Sequence, residues 1–153
     1  GEATLITMYL LPSVNLALRP KILDLKPGTR VVTHAFNFDD WMPDNHEVIS
    51  SRNIYLWIVP AKVAGAWQWQ SGSDIFSADL KQQFQTVSGI VRAFGSTVPI
   101  ENAVLSGASL KFDARPQRNG TPVLLHFEGT IDGNAADATV DVGGQASKVT
   151  AKR

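Results

Sequence analysis

The chain has 153 residues, 44% of them hydrophobic, with 14 basic and 14 acidic side chains and a formal net charge of zero. That apolar content excludes global disorder, and the absent net charge argues against a nucleic-acid or anionic-membrane binder working through bulk electrostatics. Cysteine is absent, which excludes disulfides, thiolate catalysis and thiolate metal sites.

The length allows one ordinary domain or two small ones. No apolar stretch is long enough to span a membrane as a helix. Gly1-Glu2-Ala3 carries no signal-peptide pattern and leads straight into the first element. The expected state is soluble, with the compartment, cytoplasmic or exported, left open. The three histidines, His34, His46 and His126, show neither HxH nor HExxH spacing, so no metal site is expected from them.

Thr4–Leu10 is an apolar and β-branched run that reads as a strand buried on both faces. Ser13 then offers an N-cap, and Val14, Leu18, Ile22 and Leu25 recur at helical spacing, widened by Leu16 and Leu23. Pro20 lies inside this helix and either kinks it or restarts it. Pro27-Gly28 ends it, with Lys26 suited to the dipole. Arg30–Ala35 is a second buried strand, so the segment reads as one βαβ crossover.

Phe36–Asp44 (FNFDDWMPD) reads as an acidic, aromatic loop at the carboxyl end of that strand, where α/β proteins place ligands. Glu47–Ser50 and Asn53–Val59 suggest a hairpin across Ser51-Arg52. Pro60–Gly65 marks a change of pattern. Beyond it come short strands: Trp67–Gln70, Ile75–Phe84, Thr86–Phe94, Ala103–Leu105, Ser109–Ala114, Val123–Ile131, Ala138–Val142 and Lys148–Ala151. Turn signals separate them at Ser71-Gly72, Asn119-Gly120, Asp132-Gly133 and Gly143-Gly144. The expected fold is α+β: a truncated Rossmann-like βαβ remnant in residues 1–62, then an antiparallel β-meander in 63–153, forming a small barrel or a curved sheet.

Residues 3–44, with the motifs Y-L-L-P, L-R-P-K, L-K-P-G-T-R and F-x-x-x-D-W-x-P-D, resemble the C-terminal half of a bacterial class I S-adenosylmethionine (SAM)-dependent methyltransferase. NIYLWIVPAKVAGAW is similar to the same subgroup, whose members continue into a β-rich extension. More distantly the chain resembles lysine methyltransferases acting on mitochondrial membrane proteins. The resemblance implies that Tyr9, Leu11 and Pro12 sit near the methyl acceptor, with Trp41 on the rim. It implies SAM as cofactor only if a missing N-terminal half is supplied. The Gly-rich turn and the acidic strand end that hold SAM in that family have no counterpart here. No cofactor is therefore expected for the chain by itself, and whether it is an enzyme stays open.

Other constellations keep their alternatives. His34, Asp39 and Asp40, with Asp44 and His46, suit an acid/base cluster or a solvated acidic loop. Trp41, Trp57, Trp67, Trp69 and Tyr55 suit an aromatic pocket or core packing. Gln82, Gln83 and Gln85 suit a polar strand surface or a barrel lumen that binds a small ligand. Gly107-Ala108-Ser109 is not a G-x-S-x-G elbow. The functions in play are a methyltransferase-like fragment without activity as given, a barrel-like ligand-binding module, and an unrelated activity near His34 and Asp39. Thr4–Leu10, an apolar edge without a neighbour, points to a homo-oligomer formed through that edge; no nucleic-acid partner is expected.

Overall fold

The computed structural model describes residues 3–153, and the chain divides into two compact units, one ending at Pro60 and one beginning at Ala61. In the first unit, strand β1 (Leu5–Met8), helix α1 (Pro12–Leu23), β2 (Arg30–His34), β3 (Asn45–Ile49) and β4 (Arg52–Ile58) follow in chain order, and the strands form a four-stranded sheet in the order β1-β2-β4-β3, with the helix in the β1–β2 connection. Only β1 and β2 run parallel, in the register Leu5↔Arg30 to Met8↔Thr33. β2 with β4 and β4 with β3 are antiparallel.

Paired residues share a face, so Met8, Val31, Thr33 and Trp57 lie on one side of the sheet, and all four are buried. On the opposite side Val32, Ile54 and Leu56 are half-buried, while Leu5 is 49% exposed. α1 begins with Pro12 at its first turn, and no side chain caps it. Pro20 is accommodated inside a helix that runs on to Leu23. Of the predicted apolar stripe, Ile22 is buried and Leu18 and Leu25 are half-buried, but its first member, Val14, is not buried. Asn15 and Ile22 are buried, whereas Val14 and Leu16 are each 39% exposed. The β3–β4 turn is made by Ser50 and Ser51, both at positive φ, a primed hairpin turn built without glycine.

In the second unit, β5 (Gly65–Ser71), β6 (Asp74–Gln83), β7 (Thr86–Ala93), β8 (Ser96–Ser106), β9 (Ser109–Ala114), β12 (Leu125–Asp132), β13 (Ala135–Val142) and β14 (Gln145–Lys152) close into an eight-stranded antiparallel barrel. Each strand pairs with the next, and a small hairpin of β10 (Gln117–Arg118) and β11 (Thr121–Pro122) is inserted between β9 and β12. Strict alternation decides which side chains enter. In β12, Leu125, Phe127 and Ile131 point inward while His126, Glu128 and Thr130 point outward.

The interior is filled. Phe112 stacks on Phe127 at 4.8 Å, Trp69 lies 5.3 Å from Phe127, and Trp69 stacks on Phe76 at 5.7 Å. The void left among Trp67, Trp69, Leu110, Phe112 and Phe127 is about 10 Å³, room for one water at most.

Two expectations are corrected here. The fold is not α+β with a truncated Rossmann-like remnant. With fourteen strands and one helix among the described residues, it is a mainly β chain whose single βαβ crossover sits at one edge of a mixed sheet. The physical reason is periodicity: one 3.6-residue pattern occurs near the start, and period-two alternation governs most strands after residue 61. The antiparallel meander holds in part, as a closed barrel. The lumen is not a ligand cavity, because large aromatics occupy it. Gln82 serves the barrel's end instead. Its Nε2 donates to the carbonyls of Ala61 (2.8 Å) and Phe84 (2.7 Å), and its Oε1 accepts from the Val63 amide (2.7 Å).

Candidate functional site

The parallel pairing of β1 and β2 brings their carboxyl ends to the same edge of the sheet. Met8 lies opposite Thr33, so the next residues, Tyr9 and His34, meet: their rings lie 4.7 Å apart, inclined by 52°. Tyr9 is 73% exposed and Leu11 64%. Pro12, exposed, opens α1 directly behind them. His34 is half-buried, and its Nδ1 is buried without a hydrogen-bond partner. The result is an exposed aromatic and apolar turn beside a histidine, at the sheet end where open α/β proteins bind ligands.

The loop after β2 is fixed from three directions. Thr33 Oγ1 donates to the Phe36 carbonyl at 2.5 Å. Arg19 of α1 donates to the Phe38 carbonyl at 2.9 Å and pairs with Asp40. The Ile58 amide donates to Asp44 Oδ2 at 2.6 Å. Phe38, Trp41 and Trp57 have no exposed surface. Phe38 stacks on Trp41 at 5.3 Å and meets Trp57 edge-on at 4.7 Å, and Trp57 Nε1 donates to the Trp41 carbonyl at 2.9 Å. Trp41 is thus placed in the core beneath the loop, with no surface for a ligand to touch. Asp39 adopts positive φ, and its amide is held by Asn37 Oδ1 at 3.2 Å. The residues singled out from sequence therefore fall into two groups: Tyr9, Leu11, Pro12 and His34 at the sheet end, and Asp39, Asp40 and Trp41 in the braced loop. His46 stacks on Tyr55 at 4.5 Å on the β3–β4 hairpin.

A second polar cluster, not singled out from sequence, lies on the outside of the barrel. His126 Nδ1 is 2.6 Å from Asp113 Oδ1 across the β9–β12 pair, and its Nε2 is 3.6 Å from Glu128. Lys111 reaches Glu128 at 3.2 Å, and Asn102 donates to Asp113 at 3.1 Å. The hydrogen bond to Asp113 raises the His126 pKa. The same bond, then the one from Asn102, lowers that of Asp113. Only the strand register brings these residues together, and a sequence without the register gives no sign of them. Among the described residues, no group of three His, Asp or Glu side chains is placed to hold a metal ion.

A class I methyl donor would need a backbone cradle between a strand and a helix. The β1–α1 connection, Tyr9-Leu10-Leu11, has no glycine and presents apolar side chains. Gly28 is the one glycine between residues 3 and 60, and it sits in the turn after α1. These residues do not fit the donor by themselves.

No protein-family profile matches the chain. It is 43% identical over 64 residues to a protein-lysine N-methyltransferase of Saccharolobus islandicus (strain REY15A), a match that covers 39% of this chain and 40% of that protein. The chain thus spans about two-fifths of the length of the curated relative it matches. It is also similar to an RNA methyltransferase of Salinibacter ruber whose crystal structure holds S-adenosyl-L-homocysteine, at 44% identity over 40% of this chain and 41% of that one, with a TM-score of 0.39. Two-fifths of the chain is therefore methyltransferase-like in sequence.

Proposed function

We propose that this chain is the C-terminal part of a SAM-dependent methyltransferase-like protein, holding the acceptor side of the site and lacking the donor side. The observation that carries this reading is the 43% identity to a protein-lysine N-methyltransferase over 64 residues. The exposed turn Tyr9–Pro12 beside His34 supports it, because that turn lies at the carboxyl end of a parallel strand pair. In this reading Tyr9, Leu11 and Pro12 contact the methyl acceptor, His34 orients Tyr9, and Trp41 with Asp39 and Asp40 shapes the supporting loop. The donor site lies outside residues 1–153, so these residues by themselves transfer no methyl group.

Calorimetric titration tests this directly. SAM added to the chain alone gives no binding heat. A fusion carrying the donor half of the Saccharolobus relative ahead of Ala3 binds SAM, and Tyr9→Ala in that fusion lowers methyl transfer. Tight SAM binding by the chain alone, or a folded fusion that binds SAM but is indifferent to substitution of Tyr9, Leu11 and His34, overturns the reading.

A further inference from the structure

We propose that Asn119 is a self-modifying site: its side-chain amide condenses with the Gly120 backbone nitrogen and hydrolyses to aspartate and isoaspartate, loosening the β10–β11 hairpin from the barrel. This does not rest on the methyl-transfer reading, since the hairpin belongs to the second unit.

Asn119 and Gly120 make the turn between β10 and β11, with φ of +52° and +79°, the left-handed pair that Asn-Gly adopts at low cost. Every residue from Gln117 to Pro122 is exposed. The ladder beneath the turn has two rungs, Gln117↔Pro122 and Arg118↔Thr121, so it opens readily. The Gly120 N–H has no backbone acceptor among the described residues, and nothing lies within 4 Å of the place a Cβ would take.

The chain has seven asparagines, and Asn119 alone is followed by glycine. The other six are also restrained. Asn15 is buried. Asn37 Oδ1 accepts from the Asp39 amide, Asn45 Oδ1 from the His46 amide, and Asn53 Oδ1 from the His46 ring. Asn134 Oδ1 accepts from Arg153, and Asn102 donates to Asp113. The Asn119 side chain makes no hydrogen bond among the described residues, so its amide carbon is open to attack.

The chemistry needs only water. Hydroxide takes the Gly120 amide proton, and the nitrogen attacks Asn119 Cγ. A C–N bond forms, and Nδ2 leaves as ammonia with the proton that Gly120 gave up. Glycine has no Cβ to obstruct this approach. Water then opens the cyclic imide. Cleavage of the new bond gives aspartate; cleavage of the old backbone bond gives isoaspartate, whose main chain runs through Cγ.

Three contacts hold the hairpin to the barrel. Arg118 Nη2 donates to Asp74 Oδ2 at 3.1 Å, its guanidinium lies 4.4 Å over the Phe94 ring, and the Gln117 amide donates to Ser96 Oγ at 3.0 Å. Either product sets a carboxylate beside Arg118 that competes with Asp74. Isoaspartate also lengthens the main chain, so a two-residue turn no longer keeps Arg118 opposite Thr121.

Peptide mapping by mass spectrometry tests the site on the wild-type chain. In mildly alkaline buffer residue 119 gains the mass of an NH2-to-OH exchange, many-fold faster than Asn102 or Asn134, and its product splits between aspartate and isoaspartate. In mildly acidic buffer the conversion slows. Hydrogen exchange then shows the Gln117 amide losing protection in the converted protein and keeping it in Asn119→Gln held in the same buffer. An unconverted Asn119, or conversion no faster than at Asn102 and Asn134, overturns the site. Unchanged Gln117 protection after conversion overturns the loosening.

Discussion

His126 Nδ1 and Asp113 Oδ1 lie 2.6 Å apart on the outside of the barrel, joining β12 to β9 at a registered cross-strand pair. The bond raises the His126 pKa above its ordinary 6.5 and lowers that of Asp113 below its ordinary 3.8. The signs give a window. The His126 contribution is fully present below pH 6.5 and is lost as pH rises through the raised folded value. The Asp113 contribution is present above pH 3.8 and is lost as pH falls through the lowered folded value. The barrel therefore gains most between about pH 4 and 6.5. His126 is 43% exposed, so solvent screening limits the gain to about 1 kcal/mol or less. Denaturant midpoints measured from pH 3 to 9 show this excess in the wild type, and His126→Gln removes it. An identical pH profile for both proteins would sink the assignment.

Gly89 in β7 is required by the backbone of β6. A Cβ at this position would stand 2.0 Å from the Asp79 carbonyl oxygen, and φ is +153°. Gly89→Ala must open the Leu80↔Gly89 register and costs roughly 2–4 kcal/mol. Gly72 also has positive φ, but nothing lies within 4 Å of an added Cβ, so Gly72→Ala costs only the local conformational penalty of about 1–2 kcal/mol. Equal losses for the two variants in denaturant unfolding would show that the close approach is not the cause.

The strands of the barrel were legible because alternation and turn glycines carry most of the information, while closure was left open between a barrel and a curved sheet. All eight of its strands have a counterpart in the short runs read from sequence. The poorest reading was β8, reduced to Ala103–Leu105 where the strand spans Ser96–Ser106. Asn102 at positive φ and the register shift between Glu101 and Val104 form a bulge that breaks period two in mid-strand. In the first unit, hydropathy put Val14 on the buried face of α1. The structure puts Asn15 there, with both side-chain polar atoms unpartnered, and no apolar period can reveal a buried asparagine. The Tyr9–Pro12 turn was singled out by the family resemblance alone, since the apolar run was read as strand through Leu10. Its contact with His34 was not legible, because it depends on the β1–β2 register.

Gln82 ties the chain entering the barrel to the end of β6 through three hydrogen bonds, to Ala61, Val63 and Phe84. Gln82→Glu keeps the shape and the acceptor for Val63 but replaces two donors with a charge facing two carbonyls. The expected loss is about 2–4 kcal/mol, near or above that of Gln82→Ala, because a part-buried carboxylate facing two carbonyls adds repulsion to the lost hydrogen bonds. Thermal or denaturant unfolding ranks the two variants, and a Gln82→Glu protein as stable as wild type would exclude the donor role of Nε2.

Tyr9 and Trp57 separate surface function from core support within one unit. Tyr9 is 73% exposed and touches His34 through its ring. Tyr9→Ala should therefore leave stability within about 0.5 kcal/mol, while lowering methyl transfer in the donor-half fusion. Trp57 has no exposed surface, and its Nε1 satisfies the buried Trp41 carbonyl. Trp57→Phe removes that donor and part of the ring that Phe38 meets edge-on. It should cost roughly 2–4 kcal/mol from the lost hydrogen bond and the space left behind. Guanidinium unfolding followed by the remaining tryptophans measures both variants. The reverse order, a costly Tyr9→Ala and a silent Trp57→Phe, would mean that the exposed turn supports the unit's structure and would remove it as an acceptor site.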